Sequence, residues 1–134
     1  MTSSPSSPRR ILMVNYHTDT NRIMARLLQR YGYEATAAET LAAARQLLND
    51  IRFDVLLCRN TAADGEPADF ITETKSRFPT MPIIAFGGGL NEQRIQELQK
   101  AGANECLYIP FDMNQLLQLL GQLLEPSMNT DELI

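Results

Sequence analysis

Short apolar runs alternate along the chain with longer stretches in which apolar residues recur every three or four positions. Ile11-Leu12-Met13-Val14 is a continuous apolar run that ends in Asn15-Tyr16-His17, which predicts a buried first strand and the polar loop after it. From Asn21 to Tyr31 the residues Ile23, Met24, Leu27, Leu28 and Tyr31 share helical spacing, with Arg22, Arg26, Gln29 and Arg30 on the other side. Gly32 supplies the stop, and Thr18, Asp19 or Thr20 is expected to cap the start. Tyr33 to Ala37 is short and less apolar, as a strand at a sheet edge would be, and an Ala-rich helix follows through Leu41, Ala44, Leu47 and Leu48.

The apolar run from Phe53 to Cys58 has the length of a strand buried on both faces, and it ends abruptly in the cation Arg59. Thr61 to Pro67 is a turn-forming loop, and Ala68 to Phe78 predicts a third helix that stops before Pro79. Pro82 to Phe86 is a fourth strand closed by Gly87-Gly88-Gly89, Asn91 caps a helix ending at Ala101-Gly102, and Cys106 to Ile109 is a fifth strand broken by Pro110. Asp112 caps a last helix whose leucines, Leu116, Leu117, Leu119, Leu120, Leu123 and Leu124, cover more than one narrow face. The core-facing stripe accounts for most of them, and the surplus is expected to meet a partner.

Strands that alternate with helices in this way predict an α/β fold, a doubly wound parallel sheet in three α/β/α layers, because parallel strands need helical crossovers and both faces must be covered. The flavodoxin-like (βα)5 order 2-1-3-4-5 suits the element count and the short loops, although periodicity alone does not select it. Residues 1–8 form a Ser/Pro segment expected to be a disordered tail, 9–125 the domain, and 126–134 a flexible polar tail.

At 134 residues and 44% hydrophobic content, one domain with a real core is expected. The net charge of -4 argues against a nucleic-acid surface. No apolar run has the length of a membrane span, so a cytoplasmic location is expected. Cys58 and Cys106 each lie in an apolar run and read as buried free thiols, and the single histidine, His17, reads as a loop residue with no nucleophile to serve. No zinc spacing is present, so no metal and no cofactor are expected.

Several motifs together resemble the receiver domain of response regulators, the CheY-like fold. They are Leu27-Leu28 with Tyr31-Gly32-Tyr33-Glu34, Phe53-Asp54-Val55-Leu56-Leu57, Met81-Pro82-Ile83-Ile84-Ala85, Ala101-Gly102-Ala103-Asn104-Glu105 and Pro110-Phe111-Asp112. The resemblance runs from Arg10 to Glu125 without a gap. It implies that Asn15 and Tyr16 stand where receivers carry the acidic pair that holds Mg²⁺, and that Arg59 stands at the phosphoacceptor aspartate. It further implies that Gly87 replaces the hydroxyl residue that contacts the phosphoryl group, Ile109 the lysine, and Cys106 the aromatic switch residue. A tyrosine and an amide hold a hard cation weakly, and a guanidinium is a permanent cation without nucleophilic character.

The expectation is therefore a stand-alone pseudo-receiver, not an enzyme, that acts as a phosphorylation-independent interaction module in two-component, phosphorelay-type signalling. Its expected partner is a histidine kinase, another regulator or a second copy, and resemblance points to the face of helix four, strand five and helix five. In the altered pocket Arg59 is expected to pair with Asp64 or Asp19. An alternative is an anion or small-molecule sensor in which Arg59, Asn15 and the backbone of Gly87, Gly88 and Gly89 converge on a ligand. An enzyme of flavodoxin-like fold has the least support, since no nucleophile and base pair and no phosphate-binding glycine fingerprint occurs.

Overall fold

The computed structural model describes residues 8–124, so the N-terminal tail up to residue 7 and the expected tail at 126–134 lie outside the described residues. In chain order the elements are β1 (Arg9–Val14), α1 (Thr18–Arg30), β2 (Tyr33–Ala38), α2 (Leu41–Asp50) and β3 (Val55–Arg59). They continue with α3 (Pro67–Arg77), β4 (Ile83–Gly87), α4 (Glu92–Ala101), β5 (Glu105–Tyr108) and α5 (Met113–Leu124). The strands form one five-stranded sheet in the order β2-β1-β3-β4-β5, and every neighbouring pair is parallel. This is the flavodoxin-like order expected from the sequence.

Side chains alternate across a strand, and the continuous apolar runs therefore feed two separate cores. Leu12, Val14, Leu56, Cys58, Ile83 and Ala85 face one way and pack with Ala44 and Leu48 of α2, Phe70 and Ile71 of α3, and Leu98 of α4. Ile11, Met13, Val55, Leu57, Ile84 and Phe86 face the other way, against Leu28 of α1 and Leu116 and Leu120 of α5. Each fully buried large side chain contributes about 1.5–3 kcal/mol through removal from water. Leu117, Leu119, Leu123 and Leu124 are packed only in part against the second core.

Three helix starts are held by side chains of the usual capping class, α3 is capped by Glu66, and α1 has no side-chain cap. Asn91 accepts from Arg94 N at 2.8 Å, and Asp112 and Gln115 exchange bonds of 2.8 and 3.0 Å in a reciprocal box. For α1 the N-cap is His17 and no side chain caps it. The Thr18 hydroxyl donates instead to Glu39 at 2.8 Å, and Asp19 turns to Arg22 at 3.6 Å.

Candidate functional site

β1 and β3 are neighbours, yet α1 after β1 covers one face of the sheet and α3 after β3 covers the other. Chain directions that part in this way leave a crevice beyond the carboxyl ends of the strands, where open α/β sheets place ligands. Asn15 follows β1 directly and Arg59 is the last residue of β3, so both reach that crevice. Two residues after Met13 on one strand and two after Leu57 on the other, they lie on the α1/α5 side of the sheet.

Asn15 is 3% exposed and its amide is fully used. Its Nδ2 donates to Asn21 Oδ1 at 3.0 Å, its carbonyl accepts from Asn21 Nδ2 at 2.7 Å, and its Oδ1 accepts from Arg59 Nη1 at 3.2 Å. The Arg59 guanidinium lies over the Tyr16 ring, 4.9 Å from its centroid. Tyr16 in turn stands 5.1 Å from the exposed His17 ring and brings its hydroxyl to 3.5 Å from Thr61 Oγ1. Arg59 Nε is buried and has no hydrogen-bond partner.

The expected ion pair of Arg59 with Asp64 or Asp19 is not formed. Both Asp64 oxygens are taken by the first N–H groups of α2, Leu41 at 2.9 Å and Ala42 at 3.0 Å, and these bonds hold its carboxyl below the usual range. Asp19 stays with Arg22. Backbone donors at a helix start offer a carboxylate two short bonds with no further side chain to immobilise, and they win over a guanidinium across the crevice.

A second cluster sits on the other side of the same edge, and its key members carried no sequence signal. Asn60 is 8% exposed, and its amide fills the space beside Gly87 where a side chain would otherwise stand. Its N–H donates to Phe86 O at 2.8 Å and its carbonyl accepts from Arg94 Nη2 at 2.8 Å. Arg94 also binds Glu66 at 2.6 Å and Glu97 at 3.1 Å, and the Arg94 hydrogen bond keeps the Glu66 carboxyl below its ordinary value. The Arg94–Glu97 spacing is legible in sequence, whereas Glu66 and Asn60 are brought to Arg94 only by the packing of α3 on α4. A glycine at position 87 was the single hint that a neighbour needs the room.

The remaining predicted site residues divide as follows. Gly88 and Gly89 are exposed, and Gly89, at φ 66°, takes the left-handed conformation that suits glycine. Gly88 O accepts from Asn60 Nδ2 at 3.4 Å and Gly87 O from Ile109 N at 3.0 Å. Ile109 precedes Pro110 through a cis peptide bond and packs in part on the second core. Cys106 packs in part on the first core, and burial raises its thiol pKa. Arg59 and Asn15 are thus in contact, while the carbonyls of Gly87 and Gly88 accept from Ile109 and Asn60.

A five-stranded parallel sheet in this order, with its polar cluster at the carboxyl edge, is the flavodoxin-like architecture that receivers share. Residues 11–121 match the response regulator receiver domain family, and the chain belongs to that family. Among relatives, the response regulator protein PilR of Pseudomonas aeruginosa is 29% identical over 116 residues, covering 86% of this chain and 26% of PilR. Protein PetR of Rhodobacter capsulatus is 24% identical over 119 residues, covering 89% of this chain and 50% of PetR. The chain therefore spans half or less of these relatives. A CheY-like receiver domain protein from Methanospirillum hungatei superposes with a TM-score of 0.86 at 22% identity, covering 92% of this chain and 99% of that one. The beryllofluoride-activated NtrC4 receiver domain dimer gives 0.82 at 25% identity, covering 87% and 97%.

The Mg²⁺ that the family resemblance implies does not fit these residues. Asn15 Oδ1 already accepts from a guanidinium, the Tyr16 ring lies on that guanidinium, and the ion would meet a fixed positive charge. No group of three or more His, Cys, Asp or Glu that could hold a metal occurs among the described residues. No helix among them is long and apolar enough to cross a membrane.

Proposed function

We propose that this chain is a receiver that has lost its phosphorylation chemistry and serves two-component signalling as a phosphorylation-independent interaction module. The observation that carries this reading is Arg59 at the end of β3, bonded to Asn15 and stacked on Tyr16. Phosphoryl transfer needs a nucleophilic oxygen and a cation to neutralise developing charge, and this pocket offers a guanidinium and a neutral amide in their place. The partner is a signalling protein, a histidine kinase or another regulator, or a second copy of the chain. Self-association is supported by the incompletely packed leucines of α5, by Tyr108 of β5, which is 55% exposed, and by the dimer solved for the NtrC4 receiver.

The test is intact mass and melting temperature with and without Mg²⁺, acetyl phosphate and beryllofluoride. Unchanged mass and no Mg²⁺-dependent shift of the midpoint are expected; a gain of one phosphoryl group, or a stabilisation by beryllofluoride that requires Mg²⁺, overturns the proposal. A second reading, a sensor for a small anion, is favoured by the buried and unpartnered Arg59 Nε.

A further inference from the structure

We propose that Arg59 and Tyr16 form a covered binding site for a small free oxyanion of phosphate or carboxylate type, with Tyr16 as a displaceable cover. This deepens the sensor reading and names its ligand class and its donors. The guanidinium gives one side-chain hydrogen bond, from Nη1 to Asn15 Oδ1, and its Nε–H is buried without an acceptor. The Nε and Nη2 side is a planar fork whose spacing matches two oxygens of one carboxylate or phosphate. No carboxylate of the described residues pairs with Arg59. Four carboxylates that follow the strands are committed elsewhere, Asp64 to α2, Asp19 to Arg22, Glu39 to Thr18 and Glu66 to Arg94. A half-buried cation without a counter-charge, holding a donor that water does not reach, gains most from an anion that supplies both.

The cover is held lightly. Tyr16 is 42% exposed, its hydroxyl contact with Thr61 is 3.5 Å long, and its ring rests on the cation it shields. Tyr16 stands outside the core, so rotation of its side chain would expose the face of the guanidinium that it covers. Gly87 and Gly88 lend their carbonyls to Ile109 and Asn60, and the site proposed here is built on the Arg59 donors. Asn15 takes part as the acceptor that orients the guanidinium.

The experiment follows the arginine Nε–Hε resonances of the full chain by NMR during titration with sodium phosphate and, separately, sodium acetate. Mg²⁺ is absent and ionic strength is matched with sodium chloride. A saturable downfield shift of the Arg59 Hε with a midpoint of roughly millimolar, accompanied by the Tyr16 ring signals, is expected in at least one arm, and the stronger arm tells phosphate from carboxylate. Arg59→Lys keeps the charge but loses the fork and should weaken binding about tenfold or more, whereas Tyr16→Phe keeps the cover and should bind as the parent does. An Arg59 Hε that does not move up to tens of millimolar of either anion overturns the proposal, as does unchanged affinity in a folded Arg59→Lys. The outcome stays separate from the phosphorylation test, since anion binding here is reversible, independent of Mg²⁺ and silent in intact mass.

Discussion

Substituting Gly87 by alanine should cost about 1–2 kcal/mol, and the whole cost should vanish when Asn60 is shortened. A Cβ at position 87 would fall inside contact distance of Asn60 Oδ1 and Cγ and at 3.2 Å from Nδ2. The Asn60 backbone has no room to retreat, being tied at 2.8 Å to Phe86 O on one side and at 2.8 Å to Arg94 on the other. The amide must therefore swing out and lose its 3.4 Å bond to Gly88 O. Overpacking of this kind costs about 1–3 kcal/mol, from which about 0.5–1 kcal/mol is recovered because alanine has fewer unfolded conformations than glycine. Gly87 is not among the glycines at positive φ, so the penalty is steric and carries no backbone strain. Urea unfolding of the parent, Gly87→Ala, Asn60→Ala and the double variant gives the coupling energy directly, and it should be about 1–3 kcal/mol, the steric penalty alone, since the unfolded-state gain is the same in both backgrounds. A Gly87→Ala protein within about 0.3 kcal/mol of the parent, or an equal loss in the Asn60→Ala background, refutes the packing argument.

Asp64→Asn should destabilise the protein at neutral pH by weakening the start of α2. The Asp64 pKa is lowered on folding, so its contribution is fully present above the unfolded value and is lost as pH falls through the folded one. The gap in urea midpoint between parent and variant should accordingly shrink on acidification, and a gap that widens below pH 4 would contradict the assignment. Burial pushes the Cys58 thiol up to about 12, so iodoacetamide near pH 8 should leave it unmodified in the native protein. Rapid addition at Cys58 without unfolding, read by peptide mass, would contradict its place in the core. Phe70→Ala removes a ring that is 0% exposed and carries Arg45 at 5.5 Å, and should cost about 3–5 kcal/mol in denaturant unfolding. A loss below about 1 kcal/mol would mean that α3 does not anchor the first core.

What the sequence determined by itself is the set of elements and the character of their faces. The runs at Ile11, Val55 and Ile83 and the helical spacing of Leu28, Leu48, Phe70, Leu98, Leu116 and Leu120 are local patterns, and all of these residues are buried. Local periodicity suffices because a strand or helix that hides its apolar side has few other choices. The boundaries moved by a few residues where pairing decided them, as when Arg59 and Gly87 joined β3 and β4. Strand order and family were legible through whole motifs, since short connections and right-handed crossovers leave few topologies open.

The site was legible only in part. Arg59 could be named because it ends an apolar strand run, where parallel sheets collect their polar groups, and Asn15 and Tyr16 could be named through the family resemblance. Their partners could not. Asn21 stood out only as the start of the first helical stretch, and Asn60 and Arg94 carried no pattern of their own. Only the tertiary structure joined Asn21 to Asn15, seated Asn60 against Gly87, and drew Arg94 to Asn60 and Glu66. It likewise sent Asp64 to the start of α2 and left Arg59 without a carboxylate. Polar partners on different elements leave no periodic trace, since a hydrogen bond depends on where two chain segments meet and not on how either is patterned.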